Sequence, residues 1–163
     1  MKKNTEKTNA LRLLAQKKIP FDTHDYTASG AVAGADVAAV LGEDPEKVFK
    51  TLVTTGKSGQ HYVFILPVTK ELDLKKAAAA VKEKNVAMLP QKDLLPLTGY
   101  VHGGCSPIGM KKLFPTVLHE SALGLPTLCV SGGRIGLQVE LSPEDLGKIV
   151  PLIPADIAAE EEE

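Results

Sequence analysis

The residues with the most chemistry to offer fall in three places. The first is the stretch TGYVHGGCSPIG over Thr98–Gly109, which holds four of the chain's 14 glycines in twelve residues. Glycine lets the backbone take φ > 0 and approach another group closely, and Pro107 stiffens the loop by fixing φ. Tyr100, Val101, His102, Cys105 and Ile108 are interleaved with the glycines, whereas a flexible linker is polar and Gly/Ser-rich. The stretch reads as a packed loop in which Gly103 and Gly104 bring backbone atoms up to a ligand and Pro107 holds that geometry. A tight structural turn is the other reading, since glycine clusters mark turns as well as sites.

The second place is Lys50. In strand register it points the same way as Val48, Leu52 and Thr54. A lysine among such neighbours costs free energy unless its ammonium reaches an anion or water. It is either a pocket lysine facing an anionic or carbonyl-bearing ligand, or an edge-strand lysine reaching solvent. The third is Ser131-Gly132-Gly133-Arg134, a turn carrying a hydroxyl and a cation, readable as a site or as a plain hairpin. His102 and Cys105 could form a base and nucleophile, but no third group is in place to orient them. The four histidines and two cysteines show no metal-ligand spacing, and no phosphate-binding glycine motif is present. No metal or cofactor is expected.

The elements that must position these residues belong to one domain, 1–163, long enough to bury a sizeable core. The hydrophobic fraction of 44% and charged fraction of 24% suit a globular protein. The longest apolar runs fall short of a membrane span, and MKKNTEKTNA leads into no apolar stretch of the kind a signal peptide carries. A cytoplasmic protein with no membrane partner is expected, with Cys105 and Cys129 as reduced, packed thiols. A net charge of −1 excludes nucleic-acid binding through a broadly basic surface.

Taken in order, Thr5–Lys18 predicts a helix capped by Asn4 or Thr5, ended by Pro20. Phe21–Tyr26 predicts a strand, 27–34 a loop, and Ala35–Leu41 a helix stopped by Gly42. Asp44-Pro45 caps one helical turn. Val48–Thr55 and Gln60–Val68 form a hairpin. Asp73 caps a helix to about Lys84, Val86–Leu89 is a strand, and Pro90 starts a helical turn ending before Pro96. Met110–Leu113 makes a short turn. Thr116–His119, Thr127–Ser131 and Ile135–Leu141 are strands, and Ser142-Pro143 opens a last helix ahead of a solvated acidic tail. Helices followed by adjacent strand pairs predict an α/β protein with a mixed, curled, barrel-like sheet flanked by helices.

Four ordered motifs carry a resemblance. VFKTLV at 48–53, LDLKKAA at 72–78, TGYVHGGCSPIG at 98–109 and VSGG followed by GL within 130–137 resemble the YbaK/EbsC family, free-standing aminoacyl-tRNA deacylases related to the editing domain of bacterial prolyl-tRNA synthetases. The resemblance runs from about Thr5 to Ile157. It implies that fold with one pocket, and the hydrolysis of mischarged tRNA, chiefly Cys-tRNA(Pro) or its alanyl counterpart. The matching positions are Tyr26, Lys50, Thr51, the Gly103-x-x-x-Pro107 loop and Ser131. It also implies tRNA as substrate and a synthetase as partner, with prolyl-tRNA synthetase as the candidate.

That chemistry agrees with the residues. An aminoacyl ester is already activated, so positioning and charge stabilisation can supply much of the rate. For a cysteinyl ester the family is thought to use the substrate's own thiol, which needs no protein nucleophile. Two positions depart from the cysteine-specific pattern: Ala33 stands where relatives carry an aromatic residue, and Gln138 where they carry an acid. They leave the preferred amino acid open, and the EbsC-like branch is the nearer one. A non-catalytic module that binds tRNA or a synthetase, and a hydrolase of another small ester, are the competing classes.

Overall fold

The computed structural model describes residues 8–32 and 34–160. The predicted caps Asn4 and Thr5, the position of Ala33 and the last three residues of the acidic tail lie outside the described residues. Helix α1 spans Asn9–Gln16, and its cap is Thr8, whose hydroxyl accepts from the Leu11 N–H. Ala10, Leu11 and Leu14 are its buried stripe, as the spacing requires. Strand β1 (Asp22–Asp25) and helix α2 (Gly34–Leu41) follow.

Two open sheets replace the single curled sheet expected from the sequence. One has five strands: β2 (Phe49–Gly56), β3 (His61–Pro67), β4 (Val86–Met88), β5 (Thr116–His119) and, at its edge, β8 (Leu152–Ala155), in the order β4-β2-β3-β5-β8. β3, β5 and β8 run parallel to one another. The other sheet has three strands, with β7 (Leu137–Leu141) between β1 and β6 (Leu128–Ser131). A parallel bridge between Val48 and Cys129 links the two sheets. Nothing closes into a barrel because β6 and β2 part company beyond that bridge.

The main core lies between the sheets and α1. Phe49, Val53 and Ile65 meet Leu128, Val130, Leu137 and Val139 there, capped by Leu14 and by Tyr100, Cys105 and Ile108 of the glycine loop. The other face of the five-stranded sheet packs Phe64, Leu66, Val117 and Ile157 against Ala77 and Ala78 of α3 (Leu74–Ala80). The small alanine face of α3 lets that helix sit close to the sheet.

Several boundaries differ from the sequence expectation. Helix α3 ends at Ala80, because Lys82 turns left-handed at φ 61°. Helix α4 (Gln91–Thr98) runs through Pro96 instead of ending before it. An eight-residue helix loses one internal bond to proline, while Gly99 N–H to Leu95 C=O (2.8 Å) and the Thr98 hydroxyl to Leu94 C=O (2.8 Å) hold its last turn. The short turn expected over Met110–Leu113 is a pair of bends at Lys111 and Lys112. β7 starts at Leu137 rather than Ile135, because Arg134 C=O is used to close a turn with Leu137 N–H. β8, with a proline at its centre, was not expected. Pro is tolerated there because β8 is an edge strand. The final helix α5 (Pro143–Leu146) has the expected Ser142 cap.

Candidate functional site

Where the two sheets diverge, they leave a cavity of about 470 Å³. One wall is five consecutive residues, Val48 to Leu52, the last four of them in β2. Consecutive residues of a strand can line one cavity only along its edge, and β2 has a free edge here. β4 pairs with Thr54–Gly56 alone, so among the described residues the outer edge of β2 has no strand partner between the Val48–Cys129 bridge and that pairing. Val48 C=O accepts from Val68 N–H on the β3 side, whereas Val53 C=O accepts from Leu89 N–H on the other. Backbone groups alternate along a strand, so those of Thr51 turn to the outer edge with those of Val53.

The opposite walls come from β6 (Cys129, Val130, Ser131), from Gln138 of β7, and from His102, Gly103 and Cys105 of the glycine loop. Tyr26, Val32, Gly34 and Val37 close the end nearest α2. Gly34 is packed so tightly on Val68 that a Cβ has no room. The lining is mostly apolar, with Lys50 as its cation. Lys50 is half-buried. Among the described residues, its ammonium has no hydrogen-bond or ion-pair partner.

Of the positions singled out in the sequence, Tyr26, Lys50, Thr51, Gly103 and Ser131 line this cavity. Gly104, Pro107, Gly132 and Gly133 do not, and each has a packing role. Gly104 lies against the backbone of Arg134 and Ile135, and a Cβ on Gly132 would meet Leu137. Gly133 takes φ 106° beside Thr8 and Tyr100. Pro107 is buried under the loop. The Ser131 turn is further tied down by Gly133 N–H to Ser131 Oγ (3.2 Å) and Thr8 Oγ1 to Gly132 C=O (2.7 Å). Arg134 turns outward to Thr27 and Asp25.

Two polar atoms in the lining are left over. Among the described residues, Thr51 Oγ1 and Gln138 Oε1 are the buried side-chain polar atoms without a hydrogen-bond partner. Buried polar groups are almost always paired, so two orphans in one cavity point to a ligand. Gln138 was noted in the sequence only as a departure from a pattern. Its partner Glu43, outside any motif, gave no signal.

The thiols are poorly suited to attack. Burial pushes Cys105 up to about 12, and burial together with Glu43 and Glu140 raises Cys129 further still. Reactive cysteines have depressed values. His102 is exposed, and burial pushes the Tyr26 phenol up as well.

Behind the β6 wall lies a charged cluster. His24 Nε2 is 2.8 Å from Glu140 Oε1 and 3.8 Å from Glu43 Oε2, and Lys47 Nζ is 2.7 Å from Glu140 Oε2. His24, Cys129 and Glu140 place three donor atoms within 4.8 Å of one another, the spacing a metal ion could use. The Lys47 ammonium already neutralises Glu140 and would repel a cation there, so the group is better described as an ion-pair network that ties β1 and β7 to the segment ahead of β2.

The sequence matches the profile of the aminoacyl-tRNA editing domain over residues 29–149. It is 47% identical over 144 residues, 88% of each chain, to the Enterococcus faecalis protein described as "Putative Cys-tRNA(Pro)/Cys-tRNA(Cys) deacylase EbsC". The fold is shared with the solved structure of "a putative trans-editing enzyme for prolyl tRNA synthetase", at TM-score 0.82 and 24% identity, over 96% of this chain and 100% of that one. A second solved structure, of a protein without assigned function, aligns at TM-score 0.84 and 21% identity over 93% and 99% of the two chains. With most of its length and its cavity-forming strands inside the matched region, the chain belongs to the aminoacyl-tRNA editing domain family, in its YbaK/EbsC branch.

Proposed function

We propose that the chain acts as one deacylase domain, cleaving the ester of a mischarged aminoacyl-tRNA in the cavity between its sheets, with Cys-tRNA(Pro) as substrate. The observation that carries this reading is that Lys50, as the one lysine, and Gly103 line the same mostly apolar cavity, within a family that edits aminoacyl-tRNA. Tyr26, Thr51 and Ser131 surround the ester, and Lys50 stabilises the negative charge that develops on its carbonyl oxygen. The Gly103 backbone sets how closely that carbonyl can approach.

Both cysteines line the cavity, but burial keeps their thiols protonated, so neither is a ready nucleophile. In a cysteinyl ester the substrate thiol can serve instead. Its sulfur bonds to the ester carbonyl carbon, the bond to the ribose oxygen breaks, and the thiol proton goes to that oxygen. The products are free tRNA and a thiolactone. An alanyl ester lacks this route and needs water as nucleophile. That second reading is kept alive by the missing acid at Gln138.

A net charge of −1 favours delivery of the tRNA by a partner, and prolyl-tRNA synthetase is the candidate. The test is incubation of the pure protein with Cys-, Ala- and Pro-tRNA(Pro), with and without the synthetase, following the ester over time. Loss of the cysteinyl ester, with thiolactone formed, is expected. Loss of the alanyl ester alone would select the second reading, and protection of every ester would make the protein a binding module.

A further inference from the structure

We infer that Gln138, held in place by Glu43, receives the α-ammonium of the bound aminoacyl group, and that Glu43 supplies the negative charge of this subsite. The inference rests on the deacylase reading above. Gln138 is 3% exposed and lines the cavity. Its Nε2 donates to Glu43 Oε1 at 3.1 Å. A carboxylate only accepts hydrogen bonds, so Glu43 fixes which way the amide faces. The carbonyl oxygen Oε1 is left over, buried and without a partner. Its orientation follows from chemistry, and what it lacks is a donor.

The charge around it decides which donor. No acidic residue lines the cavity, yet Glu43 stands directly behind Gln138 with its own side chain 12% exposed. Its Oε2 faces the Cys129 sulfur at 3.8 Å and His24 Nε2 at 3.8 Å. The raised Cys129 thiol keeps its proton and adds no competing charge. A neutral acceptor backed by a half-buried carboxylate selects a cationic donor over water or a hydroxyl, because the field is weakly screened in an apolar cavity. An aminoacyl ester carries one such group, on the carbon next to its carbonyl. With Lys50 on the opposite wall, the cavity holds a cation for the carbonyl oxygen and an acceptor for the ammonium. The arrangement distinguishes a free aminoacyl group from an N-blocked one.

The test measures binding rather than turnover, so it stands apart from the deacylase assay. The probes are cysteine joined by an amide to 3′-amino-3′-deoxyadenosine, and its N-acetyl form, titrated calorimetrically at slightly acidic pH. The native protein should prefer the free amine by about tenfold or more, the scale of a charge-assisted hydrogen bond. Glu43→Gln keeps the side-chain shape and should reduce that ratio toward one. The double variant Glu43→Gln/Gln138→Glu returns the charge to the residue that touches the ligand and should restore it. Selectivity unchanged in Glu43→Gln would overturn the proposal, as would a native protein that binds both probes alike, or neither. A double variant that stays unselective also counts against it. Loss of turnover on every aminoacyl-tRNA with amine selectivity intact would sink the deacylase reading and leave the subsite standing.

Discussion

Gly104 lies flat against the backbone of Arg134: a Cβ on it would stand 2.8 Å from the Arg134 carbonyl carbon and 2.8 Å from the Ile135 nitrogen. Two glycine turns far apart in sequence are therefore stacked backbone to backbone, and the contact has no side chain that could move aside.

Gly104→Ala should accordingly cost folding first. Forcing the two turns apart is overpacking, worth about 1–3 kcal/mol, and the thermal midpoint should drop by several degrees. Gly103→Ala should behave differently. Gly103 lines the cavity at φ 89°, and its added Cβ would meet Val32 Cγ1 at 2.9 Å, a side-chain tip that can shift. The left-handed conformation costs about 1 kcal/mol for alanine, while the cavity wall moves. Deacylation should fall by more than the midpoint explains. Both quantities are read on the same preparation of each variant, and similar behaviour of the two would argue against separate roles.

Lys50→Ala should lower deacylation about tenfold or more, the loss of a charge-assisted contact of roughly 1.5–3 kcal/mol. The midpoint should hardly change, because among the described residues Lys50 has no ion pair to break. Full activity in a folded Lys50→Ala protein would remove it from the proposed machinery.

Replacing Cys105 or Cys129 by Ala should leave most of the turnover. Both thiols are held protonated at neutral pH by burial, so neither is a ready nucleophile. Complete loss in a folded Cys105→Ala protein would restore a cysteine mechanism with His102 as base.

Acid should loosen the three-stranded sheet. Lys47 first, then Thr127 and His24, hold the Glu140 carboxyl down at about 2 against an ordinary 4.5. A depressed value in the folded state means that its contribution is complete above about pH 4.5 and is lost as pH falls toward 2. Glu140→Gln should lower stability near neutral pH by ~1–2 kcal/mol, allowing for solvent screening. Denaturant titrations from pH 7 to pH 2 should show the variant and the native protein converging in acid, and a gap independent of pH would contradict this.

The hairpin of β2 and β3, the Asp73 and Ser142 caps and the Gly42 stop were legible because each is written in a few adjacent residues. β8 was not, since LIPA has a proline in it and is a strand only because β5 offers it an edge. The two-sheet arrangement was equally hidden. It depends on β1 reaching β7 and on a single bridge between Val48 and Cys129, neither of which local pattern encodes. At the site, the cavity position of Lys50 could be expected from its strand register, and that of Gly103 from its loop. Gly104 could not be told from Gly103, because their difference is set by Arg134 thirty residues later. Glu43 carries no local signature at all.

The strand order also sets a timetable for folding. β1 pairs with β7, so that His24 and Glu140 meet across 116 residues of sequence. β5 is flanked by β8, and Ile157, beyond β8, completes the cluster around Phe64 and Leu66. Neither sheet can therefore be finished until its last strand, β7 or β8, has been made. The β2–β3 hairpin can form early, but its apolar run from Tyr62 to Leu66 waits for late partners. Contacts so distant in sequence slow folding and leave that run open to association with other chains in the meantime. Late completion of both sheets follows from topology alone, independently of what the cavity binds.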